Sequence, residues 1–526
     1  MNKVSEFSQR LKIKRLEIWI MRAILAEGFL LAIFPSAAAT AVIAGVVLWF
    51  FRLQIDSNFK IRSLPFDVPV TIFILLGAVS VFNSPARDFD LIYNYCAAVG
   101  LYGLTYLLIG QNIRTPEQVK NLARAIGAAA VIVVFGGYFQ YIFGIEITEM
   151  KWADGELYPE LRKHIFSTLE NPNVLAGYLD VIICLALGLL AKFGGRTEKI
   201  FLIAAIIFLA ACLAMTYSRG AFLTLAIIFI IYGFLRDWRI LTVFALIIGL
   251  LFYNDANFFN KIINFFTTTE DTAEILRTGI WVSTISMIAD HPFVGIGWGA
   301  YEFLYPQYNY YLAPSVNHAH NLYLQAAAEV GIAGAIAYFW YFFGTMFTAL
   351  RFNSNKSYEN VSDSKLKKMF NEQLLKTFMT SKFLQDFAQA KSMLMLRMAE
   401  LSNKILDKVS PPSKVETKEP AKKSEPELVH HDELKFDKKS KDKKKSDDDD
   451  NIDLQKFAAD ELFETEDEKA ISDKKFVEGI KFGIGLAFLS MALNGMTDDL
   501  IFSLPGSMLM WILGALGAAI NALDED

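Results

Sequence analysis

The segment that decides the fold is 221–235, which reads AFLTLAIIFIIYGFL. Its side chains are apolar on all sides of a helix and do not alternate with polar ones. In lipid every backbone polar group must be bonded within the protein, so only helices and closed barrels cross a bilayer. Because barrel strands alternate polar and apolar residues, this segment predicts a membrane-spanning helix.

Comparable segments recur along the 526 residues, of which 53% are hydrophobic and only 20% are charged. A bilayer core about 30 Å thick needs about 20 apolar residues in helical form. We therefore predict an all-α polytopic membrane protein with about 12 transmembrane helices. The predicted spans are 17–34, 37–53, 68–84, 89–109, 121–143, 173–191, 199–216, 221–235, 238–253, 321–350, 476–495 and 500–522.

Lysine and arginine residues beside these spans predict the orientation. They collect before the first span and in every second connector, and positively charged connectors stay in the cytoplasm. Both termini are therefore expected inside, and the connectors poor in cations are expected outside. The cations used for this prediction are Lys3, Arg10, Lys12, Lys14, Arg15, Arg52, Lys60, Arg62, Arg114, Lys120, Arg124, Lys192, Arg196, Lys199, Arg236 and Arg239.

The same pattern divides the chain into five parts. We expect a bundle of about nine helices in 1–253 and an external lid in 254–320. A further helix follows in 321–350, then a cytoplasmic insertion in 351–475, and the last two helices in 476–526.

The insertion has two compositions. In 364–409, apolar residues at helical spacing with lysines between them predict an amphipathic helix on the anionic inner leaflet, or equally a helical hairpin packed on itself. The segment 411–450 is rich in charged residues and proline, cannot bury enough apolar area to fold, and is expected to be disordered. The insertion is a candidate docking site for other proteins.

Charge and cysteine content argue against two classes of function. Nearly all of the charge lies in the insertion and the short connectors, so the net charge of -5 says little about partners, and nothing in the sequence supports nucleic acid binding. Cys96, Cys184 and Cys212 fall within apolar spans. Neither a disulfide framework nor a thiolate metal site is therefore expected.

Two arginines break the charge rule. Arg219 and Arg277 lie in connectors expected outside, where cations are rare. An enzyme at that face has no nucleotide available, so its energy must arrive in the substrate, most simply as a lipid-linked diphosphate. Arginine grips phosphate oxygens two at a time and stabilises the charge on a diphosphate leaving group. The alternative is that both arginines only anchor helices against lipid headgroups.

Two histidines, His318 and His320, stand just before the tenth span. Neutral histidine can accept the proton of an acceptor hydroxyl. A spacing of two would place them on different sides of a helix, so one is expected to act and the other to support it. The alternatives are a structural role, or a zinc site shared with His291 and either Asp290 or Glu302, although no close-spaced pair such as HExxH is present.

Four short motifs follow one another along the predicted outer face. They are Asn171-Pro172-Asn173-x-Leu175-Ala176, Thr216-Tyr217-Ser218-Arg219-Gly220-Ala221, Arg277-x3-Trp281 with Asp290-His291-Pro292-x2-Gly295-x-Gly297, and His320-Asn321-x9-Gly331-Ile332-Ala333-Gly334. In order, spacing and sidedness they resemble the bacterial O-antigen ligases, within the wider O-antigen ligase and polymerase superfamily. The resemblance covers most of the chain outside 351–475.

The resemblance implies a bundle related to the C-type glycosyltransferases (GT-C), with a large periplasmic loop over the site, in the bacterial inner membrane. It implies metal-independent and cofactor-free transfer of a glycan from undecaprenyl diphosphate to a hydroxyl, as in lipopolysaccharide biosynthesis. By this likeness His320 activates the acceptor hydroxyl, Arg219 and Arg277 hold the diphosphate, and Gly331 and Gly334 allow close helix packing. Substrate-binding roles are expected for His318, Asn321, Asn171, Asn173, Tyr217 and Trp281.

Several functions remain open from the sequence. A ligase that uses lipid A-core as acceptor is the first interpretation; a polysaccharide polymerase and a protein O-oligosaccharyltransferase differ from it in the acceptor. A transporter or flippase would place ionisable residues at mid-membrane, for which Asp180 is the main candidate, but no internal repeat is found. A scaffold without activity would leave Arg219 and Arg277 unexplained.

Overall fold

The computed structural model describes residues 3–145, 164–193, 195–242, 271–309, 316–351, 466–496 and 504–523. All regular secondary structure within these residues is helical. The chain divides into two units, Met1–Arg351 with Lys456–Asp526, and Phe352–Gln455. The second unit lies outside the described residues, and with it the predicted amphipathic helix and the predicted disordered segment of the insertion.

Helix ends follow recognisable sequence signals. Before α5, the Thr115 side chain accepts the Gln118 main-chain N–H, Pro116 follows at the first helical position, and Gly144 ends the helix with a φ of 60°. The helices are α1 (Lys3–Leu30), α2 (Pro35–Ile55), α3 (Asp67–Asn83), α4 (Phe89–Asn112), α5 (Pro116–Phe143), α6 (Pro172–Lys192), α7 (Arg196–Ala214), α8 (Arg219–Leu235), α9 (Asp271–Asp290), α10 (Tyr301–Tyr308), α11 (Leu322–Leu350), α12 (Glu466–Asn494) and α13 (Leu504–Leu523).

Among the described residues, eight helices are long and apolar enough to cross a membrane: α2, α4, α5, α6, α7, α11, α12 and α13. Helices α3 and α8 are apolar but shorter, and α1 carries three charged residues within its predicted span, Glu17, Arg22 and Glu27. The predicted span 238–253 is described, as helix, only as far as 242. The multi-pass membrane protein is confirmed, whereas a total of about 12 spans stays a prediction.

Helices α6 and α12 pack closely and run antiparallel. Gly188 of α6 lies directly against the main chain of Gly479 and Gly483, where a Cβ atom would overlap it. Helix α12 begins ahead of the predicted start at 476, and its Asp473 forms an ion pair with Lys120 of α5. The first turns of α12 therefore belong to the bundle.

One end of the bundle collects the connectors that the charge rule places inside. We call it the basic end and define it as 56–66, 112–115 and the first turns of α12. Arg114 donates to the Lys60 carbonyl at 2.6 Å, and Arg62 donates to the Ile113 carbonyl at 2.6 Å. Lys192, at the end of α6, pairs with Glu478 at 2.5 Å.

The opposite end collects the connectors that the charge rule places outside. We call it the histidine end and define it as 31–34, 84–88, 164–171, 215–218, 291–300, 316–321 and 495–496. Thr168 donates to the Ala32 carbonyl at 2.5 Å, and Ser84 donates to the Ile296 carbonyl at 2.5 Å. The alternation predicted from charge is thus visible as two groups of mutually contacting connectors. Which end faces the cytoplasm stays a prediction.

Candidate functional site

The histidine loop, 316–321, precedes α11. His320 has a φ of 47°, in the left-handed region, which costs about 1–2 kcal/mol for a residue with a Cβ. Its main-chain N–H donates to Nδ1 of His318 at 3.2 Å, and the two ring centroids are 4.1 Å apart. The expectation that their spacing would separate these side chains is wrong, because both residues precede the helix and the chain turns sharply at His320.

Asn321 begins α11. Its Oδ1 accepts the main-chain N–H groups of Tyr323 and Leu324, each at 3.0 Å, which satisfies donors that have no partner within the helix. Its Nδ2 donates to the Met496 carbonyl at 3.1 Å. Both polar atoms of this predicted substrate-binding side chain are therefore engaged in holding the start of α11.

The end of α12 clamps the first turn of α11. The Gly495 carbonyl accepts the Leu322 N–H at 2.8 Å, and the Ala492 carbonyl accepts the Tyr323 hydroxyl at 2.9 Å. Carbonyls at a helix C-terminus have no partner within their own helix. Here they fix the position of the residues that directly follow His320.

Helix α9 holds the histidine loop from another side. Nε1 of Trp281 donates to the Ala319 carbonyl at 3.1 Å, and the buried Ala319 N–H donates to Oε1 of Gln325 at 2.6 Å. Arg277 precedes Trp281 by one helical turn, so the two residues share a face of α9. The Arg277 side chain is exposed. Helix α9 therefore carries Arg277 and is also bonded, through Trp281, to the histidine loop.

Helix α11 is broken at Gly331, which has φ 71° and ψ 171°. The segment 292–297 bonds to the main chain freed by this break. Ile296 N–H donates to the Ala328 carbonyl at 2.8 Å, and Ile332 N–H donates to the Pro292 carbonyl at 2.9 Å. The expectation that Gly331 serves only close helix packing is corrected: only glycine adopts this conformation, and it opens the helix.

The glycines of two motifs interlock at this break. Gly295 has a φ of 77°, and a Cβ on it would overlap the main chain of Glu329 and Gly331. A Cβ on Gly331 would overlap the main chain of Phe293. The motif that follows α9 and the motif that opens α11 are thus parts of one backbone junction.

Arg219 is the first residue of α8 and is half-buried. The preceding turn is strained, since Tyr217 has a φ of 54°. The Tyr217 ring is exposed on one side and stacks on His164, with centroids 4.9 Å apart. The buried Thr216 hydroxyl donates to the Leu213 carbonyl at 2.7 Å and ties this turn to α7.

The Asn171-Pro172-Asn173 motif opens α6. Oδ1 of Asn171 accepts the main-chain N–H of Asn173 at 2.8 Å, and Pro172 occupies the first helical position. The Asn173 side chain is half-exposed. The Asn171 side chain caps the helix, and Asn173 remains available at the histidine end.

A buried polar network joins α6, α8 and α12. The Thr224 hydroxyl donates to Oδ1 of Asn494 at 3.0 Å, and Nδ2 of Asn494 donates to Oδ2 of Asp180 at 2.9 Å. Sequence reasoning noted Asp180 only as a possible transport residue. It missed Asn494 and Thr224, since an amide and a hydroxyl in apolar spans give little signal.

Two further buried acids went unnoticed, although an acid within an apolar span is itself a signal. Glu329 lies beside the break in α11 and accepts the Gly299 N–H at 3.0 Å. Glu27 of α1 accepts the Thr105 hydroxyl at 2.7 Å.

The predicted site residues thus fall into two neighbouring groups at the histidine end. His318 and His320 contact each other, Asn321 follows His320 directly, and Trp281 bonds to the Ala319 carbonyl between the two histidines, with Arg277 one turn away on α9. The second group stands at the starts of α6 and α8 and connects to the first through Asn494 and the end of α12. Its members are Arg219, Tyr217, Asn171 and Asn173.

The potential metal ligands and one cavity can each be compared with this site. Within the part of the chain that the structure describes, no group of three or more His, Cys, Asp or Glu side chains could hold a metal ion. A pocket of about 420 Å³ lies between α6, α12 and α13, and Val174, Val181, Met491 and Leu509 contribute to its lining. No lysine or arginine lines this pocket, so it does not suit a diphosphate.

Comparison with protein families agrees with these motifs. Residues 204–339 match a family model described as O-antigen ligase. The chain carries an O-antigen ligase domain. The matched segment includes Arg219, Arg277, Trp281, His320 and Gly331, whereas Asn171 and Asn173 precede it. No curated protein matches the chain.

The O-antigen ligase match confirms the resemblance read from the motifs. The family comprises ligases and polymerases and implies a glycan-transfer enzyme that acts on lipid-linked glycans. The break at Gly331, the junction with Gly295 and the histidine loop all lie inside the O-antigen ligase domain. The backbone of residues 204–339 therefore determines where the candidate site residues of this domain lie.

Proposed function

We propose that this protein transfers a glycan from undecaprenyl diphosphate to a hydroxyl of lipid A-core at the periplasmic face of the bacterial inner membrane, as an O-antigen ligase. The observation that carries the proposal is the hydrogen bond from Trp281 to the Ala319 carbonyl, which links the helix of Arg277 to the loop of His320. A base for the acceptor and a cation for the leaving group are thereby held on adjoining elements.

In this mechanism His320 takes the proton from the acceptor hydroxyl as its oxygen attacks the anomeric carbon of the donor. The bond between that carbon and the diphosphate oxygen breaks, and undecaprenyl diphosphate leaves with the electron pair. Arg219 and Arg277 stabilise the negative charge that develops on the diphosphate. His318 holds the main chain of His320 through its Nδ1 atom, which suits a supporting role.

Other predicted residues have supporting roles in this mechanism. Tyr217 exposes a ring beside Arg219 and is suited to contact glycan or lipid. Asn321 and Asn171 act through the helices that they cap. Membrane lipids surround the bundle, and the insertion 351–475 is proposed as the contact for other glycan-assembly proteins.

The proposal is tested by transfer from undecaprenyl-diphosphate glycan to lipid A-core with purified protein. His320→Ala, Arg219→Ala and Arg277→Ala should each lower the rate by about 100-fold or more. Arg87→Ala is the matched control, because Arg87 is an exposed arginine at the same end whose guanidinium donates to the nearby Phe82 carbonyl. Full activity of both His320→Ala and Arg219→Ala would refute the mechanism.

Two further arms of this experiment separate the alternatives. Offered single lipid-linked repeats instead of lipid A-core, a ligase leaves them unjoined, whereas a polymerase extends them. A protein acceptor that becomes glycosylated would point to an oligosaccharyltransferase. Activity that is lost with a chelator and restored by zinc would support the metal alternative.

A further inference from the structure

The polar network formed by Asp180, Asn494 and Thr224 is buried inside the bundle, and the mechanism above assigns it no role. Asp180 and Thr224 are 1% and 3% exposed, and Asn494 is 3% exposed. Buried polar groups in an apolar bundle are costly unless they are bonded, and they are usually functional within membrane spans. The network therefore needs a reason beyond packing.

The network lies at the crossing of the elements that carry the two groups of site residues. Thr224 is five residues after Arg219 on α8, and its hydroxyl bonds to Asn494. Gly495, which follows Asn494, accepts the Leu322 N–H, two residues after His320. One amide side chain thus stands between the helix of the cation and the loop of the base.

Asp180 fixes the orientation of that amide. Its Oδ2 accepts from Nδ2 of Asn494, so the amide oxygen is left to face the Thr224 hydroxyl. Without the carboxylate, Nδ2 would lose a buried acceptor and the amide could rotate, which would release the end of α12 from α6 and α8. The carbonyls of Ala492 and Gly495, which hold the first turn of α11, belong to that end.

We propose that Asp180, Asn494 and Thr224 are positioning residues, which hold the loop of His320 in a fixed position relative to Arg219. They touch no reacting atom and act through α12. The consequence for catalysis rests on the proposed function, whereas the consequence for the structure of the loop does not. A misplacement of about 1 Å can lower an enzymatic rate by about 100-fold.

Exchange of the two side chains is the sharpest test. In the double variant Asp180→Asn with Asn494→Asp, the amide at 180 donates to the carboxylate at 494, which still accepts from Thr224, so both hydrogen bonds are retained. Asn494→Asp alone places two carboxylates in contact, and Asp180→Ala removes the acceptor. Glu27→Ala is the matched control, since Glu27 is a fully buried acid bonded to a threonine outside the network.

Two measurements on each purified variant give separate answers. Hydrogen exchange of peptides covering 316–325 reports the loop itself, and transfer kinetics per folded molecule report kcat and KM. We expect Asp180→Ala and Asn494→Asp to raise exchange at least about tenfold and to lower kcat at least about tenfold, with a smaller change in donor KM. The exchanged pair should restore both, and Glu27→Ala should leave both near wild type.

The outcomes distinguish the two proposals. If Asp180→Ala leaves exchange and kcat unchanged, or if the exchanged pair fails to restore them, the positioning role is overturned. If the wild type transfers no glycan but the exchange data follow the expected pattern, the network is supported and the proposed function fails. If Glu27→Ala reproduces the effect of Asp180→Ala, the loss reflects general destabilisation and the positioning role is overturned.

Discussion

The two ends of the helical bundle are held together by different interactions. At the basic end, charged side chains bind main-chain carbonyls or acids within the protein. At the histidine end, uncharged groups bond the connectors to one another and the backbone is strained. The four non-glycine residues with a positive φ in the described part of the chain all lie at the histidine end: Ser167, Glu170, Tyr217 and His320.

This difference indicates that the two ends of the bundle have different roles. Ion pairs and charged hydrogen bonds near a protein surface tolerate small movements, so they suit an end that only has to stay assembled. Strained backbone persists only where neighbouring contacts enforce it, and it clusters at functional sites. The strained backbone therefore indicates a functional site at the histidine end, whereas the charged contacts of the basic end hold the helices together.

The largest effect is expected from adding a side chain at the backbone junction between Gly295 and Gly331. Gly331→Ala or Gly295→Ala would put a Cβ into main-chain atoms at a positive φ, so we expect destabilisation of about 3 kcal/mol or more and little folded protein. Gly127→Ala in α5 is the control, because nothing lies within 4 Å of its Cβ position. Thermal unfolding in detergent measures both, and a Gly331→Ala protein as stable as wild type would contradict the junction.

A smaller effect is expected from loosening the histidine loop. Trp281→Phe keeps most of the ring but removes the hydrogen bond to the Ala319 carbonyl, which is worth about 1 kcal/mol. We expect transfer to fall about tenfold through misplacement of His320, with a small change in unfolding temperature. Trp340→Phe, at an exposed position of α11, should have wild-type kinetics. If the two variants have equal kinetics, the Trp281 hydrogen bond does not position His320 for transfer.

The smallest effect on transfer is expected at the basic end. Lys120→Ala removes the ion pair with Asp473 at the start of α12. Because both partners are only 18% exposed, loss of the pair should destabilise the protein by on the order of 1–3 kcal/mol, whereas transfer should stay within about twofold of wild type. A double-mutant cycle with Asp473→Ala measures the coupling. A loss of transfer comparable to that of Trp281→Phe would show that the two ends are not independent.

The fold was largely predictable from sequence because membrane helices obey a strong local rule. Apolar length placed α2, α4, α5, α6, α7, α11, α12 and α13, and the cations beside the spans sorted the connectors into the two groups that contact one another. The break at Gly331 was not predictable, because the apolar pattern of 321–350 continues through it. A helix that opens is stabilised by a distant segment, here 292–297, and no local pattern records that pairing.

The candidate site was predictable in its residue types but not in its geometry. Charge placement drew attention to Arg219 and Arg277, and the motifs drew attention to His320, Asn321 and Trp281. That Asn321 caps a helix, that His318 folds onto His320, and that Asn494 joins the two groups all depend on contacts between segments far apart in the chain. Such contacts have no signature in one sequence.

In the proposed mechanism the base and the two arginines share one end of the bundle, and this end faces the periplasm. In a background with Cys96, Cys184 and Cys212 replaced by alanine, single cysteines at Asn317, Tyr217 and Ser57 report both ends, since all three positions are exposed. A membrane-impermeant maleimide added to intact spheroplasts should label positions 317 and 217 at once and position 57 only after permeabilisation. Labelling of position 57 from outside, or of position 317 only after permeabilisation, would contradict the account.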